Sequence, residues 1–331
     1  MSSLREGIRK LARGKNGLGF FCSAALCLKR EGAGATAALI RTHREEKDFE
    51  RRTKRSLRMD PQVFEAQRRD SEGSDLRFSI CVPLYNTPAA FLQDMLDSVK
   101  GQSWENWELL LADGSDDAHP EVREACEAAA AADSRIRYRK LEANGGISEN
   151  TNAALAMAKG NWIALMDHDD VLGPSALWET AQAVRETGAE FCYSDEAVFA
   201  SPDPRRILEI HRKEEYDPKA LLRSNYICHL AAFRKDLMEK AGGGFRKEYD
   251  GSQDHELFLR LTDAAETVAH VPKALYFWRS HGESVAADIG AKGYAVEAGQ
   301  RAVKDFLANK GIRAEVSSNP ICATIYDIKY L

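Results

Sequence analysis

Five short apolar runs separated by helical patterns constrain this chain more than any other feature. The runs are "FSICVPLYN" (78–86), "WELLLADGSDD" (107–117), "IRYRKLE" (136–142), "WIALMDHDD" (162–170) and "EFCYSD" (190–195). Between the first two, residues 88–100 place Phe91, Leu92, Met95, Leu96 and Val99 at helical spacing. Further helices are expected over 120–132, after the glycine turn in "ANGGISENTNAALAMAKG", and over 174–187. Such βα alternation predicts an α/β fold with a mostly parallel sheet and helices on both faces. Ligands of such sheets bind beyond the carboxyl ends of the strands. Three of those ends carry chemistry: Pro83 to Asn86, Asp113-Gly114-Ser115, and Asp167 to Asp170. A dinucleotide fold wants Gly-x-Gly-x-x-Gly after its first strand, and "PLYNTP" stands there instead, which argues against a Rossmann oxidoreductase.

The fourth run poses the sharpest question. Asp167, His168, Asp169 and Asp170 follow an apolar strand directly. Adjacent carboxylates repel, so they need a cation, protons or water around them. They either make a polar turn that caps the next helix or supply hard oxygen ligands to a divalent metal.

Composition narrows the classes. The 331 residues suffice for one large domain or two ordinary ones. Seven scattered cysteines, with no Cys-x-x-Cys pair, argue against a disulfide framework or zinc site and for a reducing compartment. Residues 1–58 carry 15 Lys/Arg against 6 Asp/Glu, while the remainder carries 31 against 45. The acidic body argues against nucleic acid as a partner. The basic head holds an apolar run, "LGFFCSAALCL" (18–28), of 11 residues, too short to cross a membrane. Two readings of 1–58 stand: amphipathic helices touching an anionic membrane, or a helical arm packed on its own domain or a partner. Residues 59–77 read as a polar linker, 78–290 as the main domain (78–200 and 201–290 as its halves), and 291–331 as a final helix and strand.

Six stretches in order carry a resemblance: "SICVPLYNTP", "WELLLADGSDD", "NGGISENTNAAL", "GNWIALMDHDD", "GSQDHELFLRL" and "ALYFWRSHGES". Together they resemble the inverting family 2 glycosyltransferases with the GT-A fold, and more narrowly their bacterial polysaccharide-forming, rhamnosyltransferase-like branch. The likeness covers about 78–290. It implies a nucleotide-diphosphate sugar as donor and a glycan or lipid-linked saccharide as acceptor. It also implies Mn²⁺ or Mg²⁺ as cofactor, while the cysteine usage and the basic head place the chain in the cytoplasm, with the membrane reading of the head putting it on the inner face of the plasma membrane. Asp169 is then the direct metal ligand, with Asp167 on the ribose or on the metal through water, and His281 the third ligand. His168 points away, and Asp170 caps the next helix. Asp113 contacts the nucleobase or ribose beside Pro83, Tyr85 and Asn86, with Gly146 and Asn152 facing the nucleotide.

An acceptor hydroxyl must lose its proton as it attacks, so a carboxylate is wanted near it. The resemblance assigns that base to Asp254, at the start of a helix whose apolar face is Leu257, Phe258 and Leu261. Glu256 is the neighbouring alternative, and Arg260 is read as a structural partner of a carboxylate. Asp195, Glu196, His229 and Trp278 are expected on the acceptor side, with Arg279 near the diphosphate or acceptor. Two rivals remain: a catalytically silent glycan- or nucleotide-binding module of the same fold, and a sugar nucleotidyltransferase. The second would want a glycine-rich basic loop where "PLYNTP" stands.

Overall fold

A computed structural model describes residues 17–280 and 292–331. Its center is a nine-stranded sheet. The first half is built as the alternation predicts. Strands β1 (Phe78–Leu84), β2 (Trp107–Asp113), β3 (Ile136–Lys140) and β4 (Trp162–Leu165) pair in parallel, in the order β3-β2-β1-β4. Every residue of β1, β2 and β4 is buried, as expected of strands covered on both faces. Helices α3 (Ala89–Lys100), α4 (Pro120–Ala132) and α5 (Ile147–Leu155) make the crossovers. On α3 the buried residues are Leu92, Met95, Leu96 and Val99, one stripe at helical spacing. Pro120 opens α4, where a missing N–H costs nothing.

The second half is mixed. After β5 (Val171–Leu172) and α6 (Ala176–Thr187), strand β6 (Phe191–Ala200) does not lie beside β4. The short β8 (Ala231–Arg234) comes between them, antiparallel to both. Strand β9 (Val268–Ser280) then pairs in parallel with β6 and antiparallel with β5, and β7 (Ile207–His211) pairs with β6 on its other side. The run expected at 190–195 thus continues to Ala200, because β9 extends its ladder that far. Helices α7 (Pro218–Arg223), α8 (Lys235–Lys240) and α9 (Gln253–Ala264) complete this half. Helix α10 (Lys292–Asn309) and the hairpin β10 (Ala314–Ser318) with β11 (Tyr326–Tyr330) follow.

The head forms helix α1 (Gly17–Ser56), broken at Gly32, whose φ of 84° interrupts the helical geometry. Beyond the break its side chains reach the sheet: Phe49 is buried in a cluster with Val171, Ala197, Phe199, Ala274 and Phe277. This part of the head is therefore an arm packed on its own domain. The polar stretch 59–77, read as a linker, holds α2 (Pro61–Ser71), started by Asp60, whose carboxylate accepts from the Gln62 N–H at 2.8 Å. Asp70 at its far end accepts from Arg185, Gln182 and Trp178 of α6, which docks the segment instead of leaving it loose. Among the described residues no helix is long and apolar enough to cross a membrane.

Candidate functional site

One pocket takes residues from both halves of the sheet. Pro83 of β1, Thr151 of α5, Asp167 beyond β4, His229, and Asp254 of α9 all line it. Asp113 ends β2 close by, pairing with Leu84 across the ladder. Its buried carboxylate accepts from the Ser115 N–H and the Tyr138 hydroxyl, both at 2.7 Å, with the Lys140 ammonium at 3.7 Å. Asn86 adopts φ 49°, a left-handed conformation that Asn tolerates better than most residues. Its side chain and Asp116 hold each other: Nδ2 donates to the Asp116 carboxylate at 2.9 Å, and the Asp116 N–H donates back at 3.1 Å. Tyr85 stands exposed beside it.

The acid run is anchored from β9. The Tyr276 hydroxyl accepts from the Asp167 N–H at 3.0 Å and donates to Asp170 at 2.7 Å. The Arg279 N–H donates to the other Asp170 oxygen at 2.7 Å, and its guanidinium to the Asp169 carbonyl at 2.6 Å. Burial, then the neighbouring Asp169 and Asp167, push the Asp170 carboxyl well above the usual range. Asp170 is thus an internal anchor and does not cap the next helix, which starts behind Ser175. Arg279, expected beside the diphosphate or acceptor, is fully buried and also bonds Asp94 at 2.8 Å. His168 turns toward the Thr87 hydroxyl at 3.0 Å. Asp167 and Asp169 are left half-buried on the loop.

Behind them lies an ionic network. Asp167 Oδ2 stands 3.4 Å from His229 Nε2, and the His229 N–H donates to Glu196 at 3.1 Å. The His229 ring stacks on Tyr276, with centroids 4.6 Å apart. Burial disfavours a charged His229, but Asp167 and Glu196 outweigh it, so its pKa lies well above the imidazole value. Glu196 also takes His211 Nδ1 at 2.7 Å and the Lys213 ammonium at 3.3 Å. Despite burial, these groups and His229 hold its carboxyl well below the usual range. Asp195 accepts from His270 and the Lys213 N–H, both at 2.8 Å. Asp195 and Glu196 thus sit beneath the surface, at 1% and 2% exposure, rather than facing outward toward an acceptor. Trp278 is half-buried near His229 and His211.

Asp254 sits in the first turn of α9, with Gln253 Nε2 3.3 Å from its carboxylate. Burial pushes its carboxyl up to about 6, His229 opposes the shift, and Asp167 adds to it. Glu256, the alternative base, is closed off: Arg246 reaches one oxygen at 2.9 Å and Arg260 bonds both at 2.7 Å. Asn152 does not present its amide to a nucleotide. Its Nδ2 donates to the Phe245 carbonyl at 2.8 Å, and its Oδ1 accepts from the Phe245 N–H at 2.9 Å. Gly146, at φ 93°, starts α5, and a Cβ there would fall 2.9 Å from the Asp250 carboxylate. His281 lies outside the described residues.

Could this loop hold a metal? Among the described residues no group of three or more His, Cys, Asp or Glu stands ready around one point. Asp167 and Asp169 are two hard oxygen donors on one loop. They fit a divalent cation that takes its other ligands from phosphate oxygens and water.

Several contributors had no sequence signal. Lys213 and His211 are single residues in a polar stretch, and Tyr276 reads only as one aromatic of a strand. Their partners lie up to 109 residues away.

Residues 79–242 match the family model described as Glycosyl transferase family 2. Uncharacterized protein y4gI of Sinorhizobium fredii is 39% identical over 233 residues, covering 70% of this chain and 25% of that protein. O-antigen biosynthesis protein RfbC of Myxococcus xanthus is 32% identical over 242 residues, 72% of this chain and 19% of that protein. The chain therefore spans about a quarter or less of these relatives. Among solved structures, residues 1–349 of S. aureus TarS in complex with UDP-GlcNAc share the fold, with a TM-score of 0.57 at 19% identity. That likeness covers 70% of this chain and 67% of TarS 1–349.

Proposed function

Because the chain belongs to glycosyltransferase family 2, we propose that it moves a sugar from a nucleotide-diphosphate sugar to a hydroxyl of a glycan acceptor, with inversion, in bacterial cell-surface polysaccharide synthesis. The observation that carries this reading is a shared pocket. It joins the Asp167 loop, suited to a donor diphosphate, to Asp254, a carboxyl pushed up to about 6. The acceptor hydroxyl attacks the anomeric carbon while its proton passes to an Asp254 oxygen. The bond from that carbon to the diphosphate breaks, and the diphosphate leaves from the opposite face. One base and a single displacement give inversion. A base is most effective when its pKa lies near the working pH, and burial brings Asp254 toward it.

Asp169 would hold a Mn²⁺ or Mg²⁺ ion directly, with Asp167 beside it and His281 as a further ligand. Such an ion, when bound, stabilises the negative charge that develops on the leaving diphosphate. Asp113, Pro83, Tyr85 and Asn86 line the side for base and ribose, and Gly146 lets the main chain come close. Trp278 and His229 border the acceptor side. Asp195 and Glu196 act there only through His270, Lys213 and His229. We further place the protein in the cytoplasm, with the head contacting anionic lipid through the part of α1 that precedes Gly32, where Leu26 and Leu28 are exposed.

The test is a panel of nucleotide-sugars assayed for hydrolysis and transfer, with and without Mn²⁺. UDP-sugars come first, since TarS holds UDP-GlcNAc. Turnover should need the metal, and Asp254→Asn should lower it about 10²–10⁴-fold. Diphosphate bound equally tightly in EDTA would remove the metal from the account. No turnover on any donor would favour a silent binding module.

A further inference from the structure

We propose that Asn152 is a positioning residue, which with Ser148 clamps the loop 241–252 onto α5 and so fixes where Asp254 stands. The inference rests on the reading of Asp254 as the base. This loop leads directly into α9, and Asp254 is the second residue of that helix. It contains Gly242, Gly243 and Gly251, all at positive φ, so its backbone has little stiffness of its own. Contacts from three sides hold it. On one of them α10 takes the Tyr249 hydroxyl at Asp305 at 2.9 Å, the Ser252 hydroxyl at the Ala295 carbonyl at 2.7 Å and, from Arg301, the Glu248 carbonyl at 2.8 Å.

On the α9 side, Arg260 donates to the carbonyls of Ala241 and Gly243 at 2.8 Å and of Gly244 at 2.7 Å. Glu256 orients both Arg260 and Arg246. These bonds tie the loop to its own helix and move with it. On the third side stands α5, which belongs to the parallel half. Asn152 makes a closed pair of hydrogen bonds to the Phe245 main chain, 93 residues away. The fit leaves no room for a side chain at Gly244, where a Cβ would lie 2.5 Å from Asn152 Oδ1. One turn earlier, the buried Ser148 hydroxyl donates to Asp250. An exposed ion pair, Lys247 to Glu149 at 3.0 Å, adds little. The contacts of Asn152 and Ser148 thus join the nucleotide half to the segment bearing the base. A shift of about 1 Å in a reacting group can cost about 10²-fold in rate, so such a clamp governs turnover without touching substrate.

The experiment compares Asn152→Ala, Asp250→Ala and Asp250→Asn in the full chain. Hydrogen exchange of amides 245–252 is measured together with calorimetric binding of UDP, GDP and dTDP, each with Mn²⁺. Asn152→Ala and Asp250→Ala should each raise exchange in the loop about tenfold, while amides of β1 and β2 keep their rates. Nucleotide affinity should stay within about threefold, and kcat should fall about tenfold or more. Asp250→Asn keeps an acceptor for Ser148 and should behave as the parent. If Asn152→Ala weakens nucleotide binding about tenfold and leaves loop exchange unchanged, Asn152 is a nucleotide contact and the clamp is wrong. Unchanged loop exchange in both alanine variants also overturns it. Should Asn152→Ala fail to fold, the two Asp250 variants give the same readout. Faster exchange alongside an Asp254→Asn variant that keeps full turnover would uphold the clamp and reject the base.

Discussion

At the end of β2, Asp113 is held by its own neighbourhood: the N–H two residues on, and a tyrosine and a lysine of the adjacent parallel strand. Toward the middle of β6, Glu196 is held by His211, Lys213 and His229, which come from 15 to 33 residues away. The first arrangement follows from strand register, and two of its three partners are neutral. The second pairs buried charges, each of which depends on the others. Removing one partner of a buried ion pair costs far more than removing one neutral hydrogen bond. Asp113 should therefore yield gradually to substitution of its partners, and Glu196 abruptly.

The largest effect is expected in the mixed half. Lys213 and Glu196 are 4% and 2% exposed, so Lys213→Met should cost about 3–5 kcal/mol in urea unfolding. A loss below about 1 kcal/mol would mean that the two histidines suffice and that Glu196 and Asp113 do not differ in this way. Acid titration of stability sharpens the point. The folded pKa of Glu196 lies well below its ordinary value of 4.5. Its contribution is complete above the ordinary value and is lost as pH falls through the lowered one. Glu196→Gln should flatten that part of the stability curve, and an unchanged acid limb would count against the network.

A smaller effect is expected at Asp113. Tyr138→Phe removes one of its donors and should cost about 1–3 kcal/mol, less than Lys213→Met. Parity between the two would erase the distinction. Smallest of all are changes on the exposed face of α1. Leu26→Asp with Leu28→Asp should alter stability by about 0.5 kcal/mol or less. The same pair should reduce sedimentation with anionic vesicles, and salt should weaken what binding remains. Equal sedimentation of parent and variant would take the membrane contact away from this helix.

The same contrast explains what could be read from the sequence. In the parallel half each element is a contiguous apolar period, and the helix expected over 120–132 ends where α4 ends. In the mixed half β5 has two residues, too short for any period to register, and β8, Ala231–Arg234, is two alanines, a phenylalanine and an arginine, without the apolar run that marks β4. Site residues divide likewise. Asp254 is singled out among the acids of its helix only by the resemblance, whereas Asp167 and Asp169 stand out by place, at a strand end. Asp170 misleads for the same reason: a fourth acid before a helix looks like a cap, yet Tyr276 and Arg279, more than 100 residues on, draw it inside. Asn152 looks like a nucleotide contact because it follows a glycine turn. Nothing local announces that Phe245 takes its amide.

The claim that α9 carries the base is tested most directly by the pH dependence of kcat. On the proposed mechanism Asp254 acts only when ionised, and burial pushes its pKa up to about 6, above the ordinary 3.8. In the parent, kcat should level off above about pH 6 and fall about tenfold per unit below it. Asp254→Asn should lower the plateau about 10²–10⁴-fold and abolish that acid limb. A parent-like plateau with the acid limb intact in Asp254→Asn would contradict the account.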